Sequence, residues 1–205
     1  MHGDGWGIAF FEGRGLRHFV DHERAIDSPV AELIRRYPIK SRNVIAHIRK
    51  ATQGSVETFN CHPFLRSLWG EQWAFAHNGN LVNAPELRRE LELTGAIFQT
   101  TIDSEVIAYH IARERVKCGS VEEAVTRALK KVRGSYSLVI MSPRKLIGAR
   151  DPFGFRPLCI GKRDNAYILA SESCALDTIG AEFVRDVEPG EVVTISPEYG
   201  IQSYK

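Results

Sequence analysis

With 205 residues, 43% of them apolar and 25% charged, the chain is long enough to bury a core without disulfide or metal staples. Its formal net charge of +2 is carried by short basic clusters, Arg35-Arg36, Arg88-Arg89 and Lys130-Lys131, which read as solvated faces and not as a nucleic-acid stripe. No apolar run reaches membrane length and no leader is legible; the cysteines Cys61, Cys118, Cys159 and Cys174 lack the paired spacing of a zinc or iron–sulfur site, so the chain is expected to be cytoplasmic, with reduced thiols and no metal or other cofactor.

The elements begin with a hairpin. Gly7 to Phe11 and Leu16 to Val20 read as strands around the turn Glu12-Gly13-Arg14-Gly15. Ser28-Pro29 opens a helix to about Tyr37, with serine as cap and proline at the first helical position. Asn43 to Ile48 is apolar and β-rich, and Trp73 to His77 is a strand expected to end at Asn78-Gly79. Asn83 is placed to cap a helix running through Leu93 and closed by Gly95. Asp103 starts a second helix, with Val106, Ile107, His110 and Ile111 at helical spacing. Ser120 and Glu123 form a capping-box pattern for a third, expected to end at Gly134. Six strands follow, Tyr136 to Met141, Lys145 to Ala149, Pro157 to Gly161, Tyr167 to Ala170, Glu191 to Ile195 and Gly200 to Tyr204, with a short helix over Cys174 to Ile179. Tight turns cannot join parallel strands, so this order predicts one layered, antiparallel α+β domain.

Several residue types could carry chemistry. The side-chain amide of Asn78 and the backbone N–H of Gly79 could converge as an oxyanion hole, or the pair could be a plain Asn-Gly turn. Arg49 follows a strand that should be buried. Its planar fork suits a carboxylate ligand, and equally a structural ion pair. Asp103 could cap its helix, or face a pocket and hold an α-amine. Arg49 and Asp103 together would then read the zwitterionic end of an amino acid, with Thr52 adding a hydroxyl. His47, His62, His77 and Cys61 fit no standard metal-ligand spacing. Cys61 and His62 are adjacent, so on an extended chain they point apart and make a poor thiol–imidazole pair.

The ordered blocks Asp4-Gly5-Trp6-Gly7, His47-Ile48-Arg49, Pro63-Phe64, Ala76-His77-Asn78-Gly79 and Asp103-Ser104-Glu105 resemble class II glutamine amidotransferases. Residues 2 to about 80 are similar to stand-alone members, through Asp4 to Phe10, Tyr37 to Ser41 and His62-Pro63-Phe64. From about residue 78 the chain resembles the glutaminase domain of amidophosphoribosyltransferase, through Gly95 to Thr101, Arg150 to Leu158 and Ala170 to Asp177. The resemblance implies a four-layer αββα sandwich of the N-terminal-nucleophile hydrolase type. It implies hydrolysis of glutamine to glutamate and ammonia, with Asn78 and Gly79 holding the oxyanion and Arg49 and Asp103 holding the substrate's α-carboxylate and α-amine. It also implies an N-terminal cysteine as nucleophile. The chain opens Met1-His2-Gly3, so the first strand and its cysteine are expected to be missing and the chain inactive as given. A phosphoribosyltransferase domain is likewise expected to be absent. The implied partners are glutamine and an ammonia-accepting synthase, with no nucleic acid and no membrane; a homo-oligomer stays open. The alternative is a non-catalytic glutamine-binding or regulatory module of the same fold. A further alternative has Cys61 replace the nucleophile, which needs its thiol beside Asn78.

Overall fold

The computed structural model describes residues 3–13, 15–51 and 55–205. The opening hairpin is β1 (Trp6–Glu12) and β2 (Gly15–Asp21), with β3 (Val44–Ile48) on the far side of β1. Arg14, in the expected turn, lies outside the described residues. Between β2 and β3 runs α1 (Pro29–Arg36), where the Ser28 hydroxyl accepts from the Ala31 N–H at 3.2 Å, as its sequence predicts.

The central sheet has six antiparallel strands. Its members are β4 (Phe64–Leu68), β5 (Glu71–Leu81), β6 (Gly134–Met141), β7 (Leu146–Arg150), β11 (Val192–Ser196) and β12 (Gly200–Tyr204), in the order β12-β11-β7-β6-β5-β4. A third sheet, β10-β8-β9, joins β8 (Cys159–Arg163), β9 (Ala166–Ala170) and β10 (Glu182–Asp186), with α5 (Ser173–Thr178) against it.

Period-two alternation sorts the core into layers. On β5 and β6, Phe75, Tyr136, Leu138 and Ile140 face α2 (Ala84–Glu92), α3 (Ser104–Arg115) and α4 (Val121–Leu129), which bring Leu87, Val106, Ile107 and Val125. The intervening Ala74, Ala76 and Met141 meet Ala9 and Ile45 of the first sheet. Val193 of β11 meets Leu158 and Ile160 of the third sheet region. Outside the first sheet, Phe10 packs with Phe19 and Tyr37 beside α1. The result is an αββα sandwich: helices, the large sheet, two small sheets, then α1 and α5. The basic clusters are solvated and paired, Arg35 and Arg36 with Glu32, Arg88 with Glu92 and Lys131 with Glu114.

Four expectations need correction. Asn78-Gly79 is no turn: β5 runs through it to Leu81, in register with β6 from Ala74↔Met141 to Leu81↔Gly134. His77, expected at a strand end, is therefore interior to β5. Gly134 does not end α4, which stops at Leu129; it opens β6, where a Cβ would stand 2.3 Å from the Asn80 carbonyl oxygen. Asn83 occupies the cap position of α2 without capping it: its amide donates to the Lys131 carbonyl at 2.9 Å and accepts from the Arg133 N–H at 2.9 Å. The strands β4 and β10 and a 3-10 turn at Thr58–Asn60 were not anticipated.

Candidate functional site

β5 delivers His77, Asn78 and Gly79 to one end of the sandwich. Alternation sends Asn78 to the face of Ala74 and Ala76, toward the sheet that ends in Arg49, while His77 faces α3. Gly79 has φ +153°, and a Cβ there would stand 2.0 Å from the Ser135 carbonyl oxygen and 2.8 Å from His77 Nε2. Only glycine lets β5 and β6 approach so closely over this imidazole.

His77 is buried and leads to Asp103. Its Nδ1 lies 2.8 Å from the Ser104 hydroxyl, which lies 3.3 Å from Asp103 Oδ1. Burial lowers the His77 pKa; the Asp103 charge and the Ser135 carbonyl act against that without reversing it. Asp103 is 8% exposed and stands at the cap position of α3 without making a side-chain cap bond. The capping alternative is thereby set aside. Its Oδ2 instead accepts the Leu81 N–H of β5 at 2.7 Å, tying the helix start to the strand that carries Asn78 and Gly79.

Arg49 enters from the first sheet and is 4% exposed. Its backbone N–H donates to the Gly5 carbonyl at 2.7 Å, and its guanidinium donates to the carbonyls of Asp4 at 3.4 Å and Ser55 at 3.1 Å. Thr52, expected beside it, lies outside the described residues.

Three site-building residues escaped the sequence reading. Asn60, fully buried, donates to the Ser55 carbonyl at 3.0 Å and the Thr101 hydroxyl at 3.0 Å, and accepts from the Thr101 N–H at 3.1 Å. It bridges the segment holding the Arg49 guanidinium to the segment entering Asp103. Glu105 accepts from the N–H groups of Gln99 at 3.1 Å and Thr100 at 2.8 Å and pairs with Arg66 at 2.6 Å, fixing that entry. Ser104 joins His77 to Asp103. The Asp103-Ser104-Glu105 block flagged two of these positions but not their tasks; Asn60 carried no signal, because its partners lie on separate loops.

Cys61 is held at the end of β2. Its thiol donates to the Asp21 carbonyl at 3.2 Å and packs where a Gly5 Cβ would be, 2.5 Å from Sγ. Burial raises its pKa, opposed in part by Arg49, so the thiol stays protonated and is a weak nucleophile. The His62 ring sits against His47 and Phe64, with centroids at 4.8 and 4.4 Å. Among the described residues no group of three or more His, Cys, Asp or Glu is arranged to hold a metal ion.

The structure thus offers an amide and a glycine backbone on β5, a buried carboxylate tied to that strand, and a buried cation after β3. Residues 1–136 match the family model of class-II glutamine amidotransferases. The amidophosphoribosyltransferase of Methanocaldococcus jannaschii is 41% identical over 98% of this chain and 44% of its own length, and that of Staphylococcus aureus is 43% identical over 84% of this chain and 34% of its own. The solved glutamine phosphoribosylpyrophosphate amidotransferase of B. subtilis, complexed with ADP and GMP, superposes with a TM-score of 0.87 at 37% identity, over 99% of this chain and 43% of that one. A class-II domain protein from Silicibacter pomeroyi shares the fold at a TM-score of 0.71 and 19% identity, covering 98% of this chain and 91% of that one. The chain spans less than half the length of its amidophosphoribosyltransferase relatives. In sequence blocks, layer order and family match alike, it belongs to the class-II glutamine amidotransferases, with the N-terminal-nucleophile hydrolase fold.

Proposed function

We propose that this chain is the glutamine-handling unit of an amidophosphoribosyltransferase-type enzyme of purine biosynthesis, releasing ammonia from the glutamine side chain for a phosphoribosyltransferase domain. We read its 205 residues as a single such domain, working in the cytoplasm. The observation that supports the reading is that Arg49 and Asp103 are both buried, and that Asp103 is tied to the strand that carries Asn78 and Gly79. A ligand with its α-carboxylate on Arg49 and its α-ammonium on Asp103 would extend its side-chain amide toward Asn78. Thr52 would add a contact beside Arg49.

The chemistry needs a thiol that attacks the amide carbon. The carbonyl oxygen becomes an oxyanion held by the Asn78 side-chain N–H and the Gly79 backbone N–H. Collapse expels ammonia, which takes the thiol proton, and water then cleaves the thioester to glutamate. A cysteine leading an N-terminal strand supplies that thiol in the family resemblance; within the described site Cys61 is occupied by Asp21.

Calorimetry with glutamine tests the reading. The 205-residue chain is expected to bind glutamine saturably and release no ammonia. Arg49→Ala should abolish binding. A version extended by a cysteine-led strand should release ammonia, and Asn78→Ala should cut that rate by about a hundredfold or more. A well-folded chain that binds no glutamine, with an extended version that releases no ammonia, would end this reading.

A further inference from the structure

Ser104 stands where two hydrogen-bonded elements meet. A hydroxyl has a single proton to give. The Asp103 carboxylate is buried, and its Oδ2 already takes the Leu81 N–H at 2.7 Å, so Oδ1, at 3.3 Å, is the atom that Ser104 serves. The Ser104 oxygen also lies 2.8 Å from His77 Nδ1, which is itself 3.9 Å from Asp103 Oδ1, so the three buried side chains form one cluster beside the carboxylate. A carboxylate offers about four lone-pair sites. Leu81 and Ser104 each engage one oxygen, which fixes the plane of the carboxylate and leaves its remaining lone pairs for a cation.

We propose that Ser104 and His77 are positioning residues that orient the Asp103 carboxylate toward a ligand's α-ammonium, and so give the site its selectivity for an α-amino acid over the same acid without the amine. The inference rests on the reading of Asp103 as the amine-holding group. Neither residue touches the ligand in this account; both act through Asp103.

The test compares two ligands on the full chain by calorimetry: glutamine, and 4-carbamoylbutanoate, which is glutamine without its amine. The wild type should prefer glutamine. Ser104→Ala should weaken glutamine about tenfold, the scale of one lost hydrogen bond to a charged group, and leave 4-carbamoylbutanoate unchanged. Ser104→Thr should restore the preference, and His77→Phe combined with Ser104→Ala should be no worse than Ser104→Ala alone. Ser104→Cys fills the space with a poor donor and repeats the question should the alanine variant lose its fold. A merely structural role predicts equal weakening of both ligands, and that result overturns the proposal. So does a Ser104→Ala chain that keeps its preference while Asp103→Asn loses it. A wild type that binds both ligands alike refutes the Asp103 reading itself, and this inference with it.

Discussion

At Gly79 a methyl group would have to occupy space 2.0 Å from the Ser135 carbonyl oxygen, at a φ of +153°. Gly79→Ala should therefore cost at least about 3 kcal/mol, read as a lower urea midpoint, and should abolish glutamine binding. Thr194 poses the opposite problem: its hydroxyl is buried in β11 with no hydrogen-bond partner among the described residues. Thr194→Val keeps the shape and removes the orphaned group, so it should raise stability by about 1 kcal/mol in the same assay. Glu191 shows how completely a buried carboxylate can be served. It takes both Arg185 Nη atoms at 2.8 and 2.9 Å, the Ser203 hydroxyl at 2.6 Å and the Glu188 N–H at 2.7 Å. Burial alone would raise its pKa, but these partners together hold it down at about 2, against an ordinary 4.5. A carboxyl depressed in the fold stabilises above its unfolded pKa, and that stability drains as pH falls from about 4.5 to about 2. The amount is on the order of 3 kcal/mol. Urea titrations between pH 6 and 2 should show the loss, and Glu191→Gln, already destabilised, should show a flatter profile.

Asn60 works at the level of elements, because it fastens two loops and belongs to no strand or α-helix of its own. Asn60→Ala should lower stability by about 2 kcal/mol and also weaken glutamine binding, since the Arg49 and Asp103 segments lose their common anchor. Weakened stability with unchanged affinity would show the anchor to be irrelevant to the site. The contrast between the asparagines, serines and aspartates explains what the sequence could reveal. Ser28 and Ser120 cap N–H groups three residues away, so both signals were local and readable. Asn83 and Asp103 occupy equally plausible cap positions, yet their side chains serve Lys131, Arg133 and Leu81, far along the chain. A local pattern cannot distinguish a cap from a tertiary tie. The same limit hid β10, whose Glu-Phe-Val-Arg-Asp run lacks clean alternation and pairs only through β8. The family resemblance was legible because whole motif blocks, those holding Arg49, Asn78 and Asp103 among them, kept their order; the ties made by Asn60 and Ser104 were not, because their partners are brought together by folding.

Across the whole molecule, buried imidazoles tie stability to mild acid. Burial lowers the pKa of His18, His62, His77 and His110; His47, His77 and Arg49 push His62 further down. The unfolded chain takes up protons near the ordinary 6.5 and the fold resists them, so stability should fall as pH drops from about 6.5. Denaturation midpoints between pH 8 and 5 would measure this, and His62→Phe should reduce the slope. The large sheet has a different consequence, in time instead of energy. β5 is flanked by β4 on one side and β6 on the other, deep between layers. Its interior amides can exchange with deuterium only when the sheet itself comes apart, at the rate of global opening. The amides of Phe75 and Ala76 should thus exchange only through global opening, and more slowly with glutamine bound, since the ligand holds the folded state, while the Leu81 amide reports the Asp103 tie. Asn78 and Gly79 ride on that slow clock, so the cradle we propose for the reacting oxygen stands assembled long before any ligand arrives.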